Sequence, residues 1–178
     1  VDDEAWIHRG YHRIRMPNFR IRNATPADVP LILSFIRKLA EYERLLHVVV
    51  ASEELLRETL FGARPYAEVI FAVDDDVEVG FALFFHNYST FLAQPGIYLE
   101  DLFVDPDRRG RGYGKKLLQR LAAIAVERRC GRLEWAVLDW NEPSINFYKS
   151  LGALPQDEWT VYRVTGDTLA ALAIESAP

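Results

Sequence analysis

The sequence predicts one mixed α/β domain whose sheet combines an antiparallel hairpin with a parallel pair of strands. Three observations carry this. β-rich runs alternate with stretches of helical apolar period. Residues 98–118 pass from an apolar run through Asp105-Pro106 and Arg108-Arg109-Gly110-Arg111-Gly112-Tyr113-Gly114-Lys115-Lys116 into an amphipathic stretch. A further β-rich segment, residues 133–138, follows. Strand, helix and strand in that order imply a parallel crossover with the two strands side by side.

Residues 1–18 are polar, rich in His and Arg, and without a sustained period, so they read as a terminal extension ahead of a domain spanning 19–178. His8 and His12 have helical metal spacing, but Gly10 weakens a helix there and no third ligand is near; no metal is expected. Phe19-Arg20-Ile21-Arg22 alternates as a strand. Thr25-Pro26-Ala27-Asp28 then supplies an N-cap, a proline at N1 and an acid at N3, and Val29, Ile32, Leu33, Ile36, Leu39 and Ala40 carry a helix to about Arg44. A second helix runs from Ser52 as cap to Gly62 as stop, burying Leu55, Leu56 and Leu60.

Residues 66–73 and 78–88 form a hairpin around Asp74-Asp75-Asp76. These aspartates lack the spaced ligands and distal glutamate of a calcium loop and read as a solvated turn. Residues 97–104 form the strand that feeds the glycine turn, and Leu117, Leu118, Leu121 and Ala125 form the apolar stripe of the helix after it. A short helix between Pro143 and Gly152, a strand at 159–164 and a helix at 167–175 complete the order β-α-α-β-β-β-α-β-α-β-α.

Composition narrows the partners. A net charge of −5 argues against general nucleic-acid affinity and suits a cationic ligand. One cysteine, Cys130, excludes an internal disulfide and reads as a buried or neutral thiol rather than a nucleophile. No run approaches the roughly 18 apolar residues of a membrane span, so a soluble cytoplasmic protein is expected.

The glycine turn points backbone N–H groups and a helix N-terminus at one spot, a geometry that favours phosphate. A P-loop fails on spacing, because Arg109 stands five before Gly114 and Lys116 takes the place of the magnesium-binding hydroxyl. The dinucleotide fingerprint fails because Lys115 stands where its third glycine belongs. Taken alone, the turn also has a plain reading as a basic surface loop.

Arg109-x-x-Gly112-x-Gly114, after a strand and opening a helix, resembles the pyrophosphate signature of the GNAT superfamily of acyl-CoA N-acetyltransferases. With Tyr98-Leu99-Glu100-Asp101-Leu102-Phe103-Val104 and Trp140-Asn141-Glu142-Pro143-Ser144-Ile145-Asn146-Phe147-Tyr148-Lys149, it looks like the spermidine/spermine (diamine/thialysine) N-acetyltransferase branch. The resemblance covers residues 19–172.

It implies the GNAT fold, with two central parallel strands that splay to admit the pantetheine arm of acetyl-CoA. Leu102, Phe103 and Val104 would supply a backbone edge. Arg109, Gly110, Arg111, Gly112, Tyr113, Gly114 and Lys115 would hold the pyrophosphate, and Asn141, Pro143, Ser144 and Asn146 would line the cofactor's other side. It further implies Tyr148 as the acid that protonates the leaving thiolate, Glu100 as the base or relay, acceptor contacts at Tyr42, Glu43, Glu100 and Glu158, and a homodimer. Direct transfer to a small cationic amine, with no metal, is the expected chemistry.

Glu100 and Asp101 are adjacent on a strand, so regular alternation sends them to opposite faces and only one enters a given cleft. The family position selects Glu100. Glu41 stands where the polyamine enzymes often carry a basic residue, and residues 45–50 are more apolar than theirs, so the expected acceptor is a polyamine, a diamine or a lysine analogue, with long polyamines the less favoured choice. A peptide N-acetyltransferase and a non-catalytic acetyl-CoA-binding regulator are the alternatives.

Overall fold

The computed structural model describes residues 18–174, so the extension with His8 and His12 lies outside the described residues. Two compact units are present, one ending at Ala136 and the other starting at Val137.

The first unit is built on a five-stranded sheet: β1 (Phe19–Asn23), β2 (Glu68–Asp74), β3 (Val77–Ser89), β4 (Gln94–Val104) and β5 (Leu133–Trp135). Strand order follows chain order; β1 to β4 pair antiparallel, and β5 joins β4 in parallel. Asp75 and Asp76 both take left-handed conformations, with φ of 50° and 64°, and close the β2–β3 hairpin. β2 is apolar and buried on both faces from Val69 onward, as a central strand covered on two sides must be.

One face of the sheet carries α1 (Val29–Tyr42) and α2 (Glu53–Phe61). Val29, Ile32 and Phe35 of α1 and Leu56 and Leu60 of α2 join Val69, Phe71, Val73, Phe81 and Phe103 in one buried cluster. Phe35 is its centre, stacked on Phe81 at 5.3 Å and edge-on to Phe103 at 6.2 Å. Burying such a ring stabilises the fold by about 1.5–3 kcal/mol.

The expected caps are in place. Asp28 Oδ2 accepts from the Thr25 N–H at 2.7 Å, and Ser52 Oγ from the Leu55 N–H at 3.3 Å. Arg22 of β1 adds a bidentate pair to Asp28, 2.8 and 2.7 Å, and reaches Glu78 of β3 at 2.8 Å. The guanidinium holds the Asp28 carboxyl well below the usual carboxylate range.

α3 (Tyr113–Glu127) lies along β2, β3 and β4 and buries Leu117, Leu118, Leu121, Ile124 and Ala125. Arg128, just beyond its end, forms a bidentate pair with Glu68 of β2.

β4 is irregular at one point. Leu83 pairs with Asp101 and Phe84 with Leu99, which leaves Glu100 as one extra residue. Such a bulge breaks the two-residue alternation and re-aims side chains locally. The parallel ladder to β5 ends just before it, at Leu99–Trp135. β5 stops at Trp135, short of the residue 138 that composition suggests.

The second unit contains α4 (Glu142–Ser150) and α5 (Gly166–Ile174). The strand expected at residues 159–164 is absent. That stretch is irregular, with Trp159, Val161 and Tyr162 exposed and a local bond from the Trp159 N–H to the Gln156 carbonyl at 3.2 Å. β-rich composition makes a strand only where an edge pairs with it. The observed order is therefore one strand short of the expected one, while the mixed sheet and its helical layers stand. Among the described residues no helix is long and apolar enough to cross a membrane.

Candidate active site

β4 ends at Val104, a short 3-10 turn covers Pro106–Arg108, and α3 begins at Tyr113. Between them Gly110 and Gly112 sit at φ of 77° and 83°, a region L side chains rarely adopt. A Cβ on either would meet nothing within 4 Å, so conformation rather than crowding calls for glycine here, and the turn's outer surface is open. The first backbone bond of α3 runs from the Lys116 N–H to the Gly112 carbonyl at 3.0 Å. The N–H groups of Tyr113, Gly114 and Lys115 precede that ladder, as helix-initial donors do, and are oriented for an anion. Arg111 and Lys115 are exposed beside them.

Two of the expected cofactor residues are used differently from a simple contact. The Tyr113 side chain is buried, so its backbone N–H is what it presents to the turn. Arg109 donates from Nε to the Val104 carbonyl at 3.1 Å, and its guanidinium lies 4.5 Å over the Tyr42 ring and 5.6 Å from the Phe103 ring. Arg109 thereby joins the glycine turn to the end of α1, where Tyr42 and Glu43 sit.

The carboxylates need a correction. The opposite faces expected of Glu100 and Asp101 rest on regular alternation, and the bulge at Glu100 interrupts that alternation. Asp101 pairs with Leu83, which packs against the cluster under α1 and α2. Burial first, then the charges of Glu100 and Glu43, push the Asp101 carboxyl up from 3.8 to about 7. Burial also raises Glu43 above its ordinary value. The charges of Glu100 and Glu43 thus bear on Asp101, and Asp101, which strand alternation set aside, is the more perturbed of the two adjacent acids on β4. A bulge leaves no mark in a single sequence, so the residue types were legible but the break in alternation was not.

Glu41, two residues before Glu43, lines a separate surface depression of about 320 Å³ with Arg37, Lys38 and Glu53. On β4, Leu102 and Val104 are half-buried and Phe103 is core. Their backbone lies past the end of the β5 ladder, unpaired by β5.

In the second unit, Asn141 caps α4 by accepting from the Ser144 N–H at 3.4 Å, and Pro143 occupies the helix's first turn. Ser144 and Tyr148, four apart, share a face of α4 and are half-buried; Asn146 is exposed. The Tyr148 ring lies 5.4 Å from that of Phe147. Glu158 is exposed in a turn.

Comparison with known proteins meets these features. The family model described as the acetyltransferase (GNAT) family matches residues 36–153. The chain is 40% identical over 169 residues to the thialysine N-ε-acetyltransferase of Mus musculus, covering 89% of this chain and 99% of that one. It is 38% identical over 198 residues to an L-ornithine N5-acetyltransferase of Arabidopsis thaliana, covering 86% and 87%. An integron cassette protein from the mobile metagenome of V. cholerae has a similar structure, with a TM-score of 0.73, 31% identity, and coverage of 87% of this chain and 97% of that one.

Proposed function

The chain belongs to the acetyltransferase (GNAT) family, and from that premise we propose that it moves an acetyl group from acetyl-CoA to a primary amine of a short cationic acceptor, a lysine analogue or small diamine. One observation carries the choice of acceptor. The charges of Glu43 and Glu100 both bear on Asp101, and Arg109 ties the glycine turn to Tyr42, the neighbour of Glu43. Anion-binding backbone and a cation-binding carboxylate cluster in one compact unit fit a donor with a pyrophosphate and an acceptor with an ammonium group. Relatives named for thialysine and ornithine support the short acceptor.

The turn fits the donor: its outer surface is open at Gly110 and Gly112, and it lies beside Arg111 and Lys115. Gly110 to Lys115 hold the pyrophosphate, the backbone of Leu102 to Val104 orients the pantetheine arm, and Asn141, Pro143, Ser144 and Asn146 complete the cofactor's lining. Acetyl-CoA supplies an activated thioester.

The acceptor amine is mostly protonated at neutral pH, since such a group titrates near ~10.4. Tyr42, Glu43 and Glu158 receive the cation, and Glu100 takes its proton, with Asp101 as the neighbouring carboxyl that exchanges protons near pH 7. The free amine then forms the N–C bond as the C–S bond breaks. A backbone N–H at Leu102 stabilises the negative charge that develops on the carbonyl oxygen. Tyr148 gives its proton to the departing sulfur, and the proton lost by the newly acylated nitrogen restores the phenol. The reaction needs no metal and no covalent enzyme intermediate. The assembly proposed is a homodimer in the cytoplasm.

The test is a thiol-release and acetyl-transfer screen over thialysine, ornithine, lysine, diamines, spermidine and lysine-containing peptides. Preference for a short free amine is expected. Preference for peptides, or coenzyme A binding with no release on any amine, would overturn this function.

A further inference from the structure

One buried carboxylate stands outside the chemistry described so far. Asp74, the last residue of β2, is 7% exposed. It belongs to the aspartate run that reads as a solvated turn, yet only Asp75 and Asp76 are solvated. Its Oδ2 accepts from the Tyr113 hydroxyl at 2.6 Å and lies 4.0 Å from Arg108 Nη1. Its Oδ1 is buried with no hydrogen-bond partner. Leaving a carboxylate oxygen buried and unpaired is costly, so a carboxylate at this position calls for a reason.

The reason lies in what it joins. Arg108 ends the 3-10 turn and Tyr113 begins α3, and between them lie only Arg109, Gly110, Arg111 and Gly112. One carboxylate therefore engages both stems of the phosphate turn. The joint continues into the sheet: Phe19 is the register partner of Asp74, and its ring stacks on Tyr113 at 5.5 Å with the planes 7° apart. Lys116 Nζ lies 3.9 Å from the Phe19 ring and 6.0 Å from the Tyr113 ring, so it joins the same stack. Meanwhile nothing lies within 4 Å of where a Cβ on Gly110 or Gly112 would be, so the two glycines are not held by packing, and the turn depends on its stems and on Arg109. Donors aimed at an anion hold it well only when their geometry is set beforehand.

We propose that Asp74 is a positioning residue for pyrophosphate, which fixes the stems of the 109–112 turn through Tyr113 and Arg108 and so preorganises its N–H groups. This rests on the reading of that turn as the pyrophosphate site of acetyl-CoA.

The experiment uses the full chain and three variants, Asp74→Ala, Asp74→Asn and Tyr113→Phe. Coenzyme A affinity is measured by calorimetry, and kcat/KM is compared for acetyl-CoA and for S-acetylpantetheine, which lacks the pyrophosphate. Asp74→Ala and Tyr113→Phe are expected to bind coenzyme A about tenfold more weakly, the size of one charge-assisted hydrogen bond. Their preference for acetyl-CoA over S-acetylpantetheine falls by the same factor. Asp74→Asn keeps an acceptor for the Tyr113 hydroxyl and stays within about threefold of wild type. Should Asp74→Ala fail to fold, Tyr113→Phe, which keeps the ring and its stacking, decides alone. Unchanged affinity, or equal losses with both donors, overturns the positioning role, since a merely structural tether would move the melting temperature without changing donor preference. If wild type itself shows no preference for acetyl-CoA over S-acetylpantetheine, the pyrophosphate assignment of the turn fails, and the inference with it.

Discussion

Replacing Asp101 by Asn should make the protein more stable in mildly alkaline solution and less dependent on pH. In the unfolded chain the carboxyl ionises near 3.8; in the folded protein burial and the charges of Glu100 and Glu43 push it up to about 7. Between those values the folded state holds a proton that the unfolded state has released. Stability therefore falls as pH rises from about 4 to 7, and the full penalty is present above 7. A rise of about three pH units, at ~1.36 kcal/mol each, corresponds to on the order of 4 kcal/mol. Asn keeps the shape without the charge, so at pH 8.5 Asp101→Asn should gain up to that amount, and near pH 4 it should match wild type. Urea unfolding from pH 4 to 9 reads this directly. Parallel stability profiles for the two proteins would refute the argument that burial and the charges of Glu100 and Glu43 disfavour the ionised Asp101 in the folded state. The same substitution should lower turnover, because a destabilising charge at a reaction site is retained for its chemistry. It should also shift the acidic limb of kcat/KM away from pH 7.

Tyr148→Phe should lower kcat by about 10²–10⁴-fold, with the far-ultraviolet spectrum unchanged; wild-type turnover and pH profile would remove Tyr148 from the acid role. Arg22→Ala strands Asp28 and Glu78, which are only 14% and 24% exposed, and should cost about 2 kcal/mol at pH 7, below the ~3–5 of a fully buried pair. Because Arg22 holds Asp28 well below its ordinary value, that stabilisation is present above pH 4 and lost as pH falls further, so the variant's acid limb in an unfolding titration should be flatter. Gly112→Ala forces a side chain to φ of 83° and should cost about 1–2 kcal/mol by thermal unfolding while raising the KM for acetyl-CoA.

Local chemistry made much of the fold legible. Thr25 with Asp28, and Ser52 with Gly62, mark helix ends because cap residues satisfy N–H groups within a few residues. The turn from Arg109 to Gly114 was legible because its glycines and its place between strand and helix are properties of adjacent residues. The strand expected at residues 159–164 failed for the opposite reason: pairing depends on a distant edge, and composition carries no information about whether one is offered. Asp74 was likewise illegible, since its partner Tyr113 is thirty-nine residues away.

By itself, then, the sequence determined the residue types and their local geometry: the glycine turn, the capped helices, the adjacent acids on β4 and the motif around Tyr148. Only the tertiary structure decided which way the acids face. One extra residue at Glu100 in the β3–β4 register brings Asp101 under the influence of both Glu100 and Glu43. Strand alternation is a rule of the isolated chain, whereas a bulge is settled between two strands, by where their hydrogen bonds can be made.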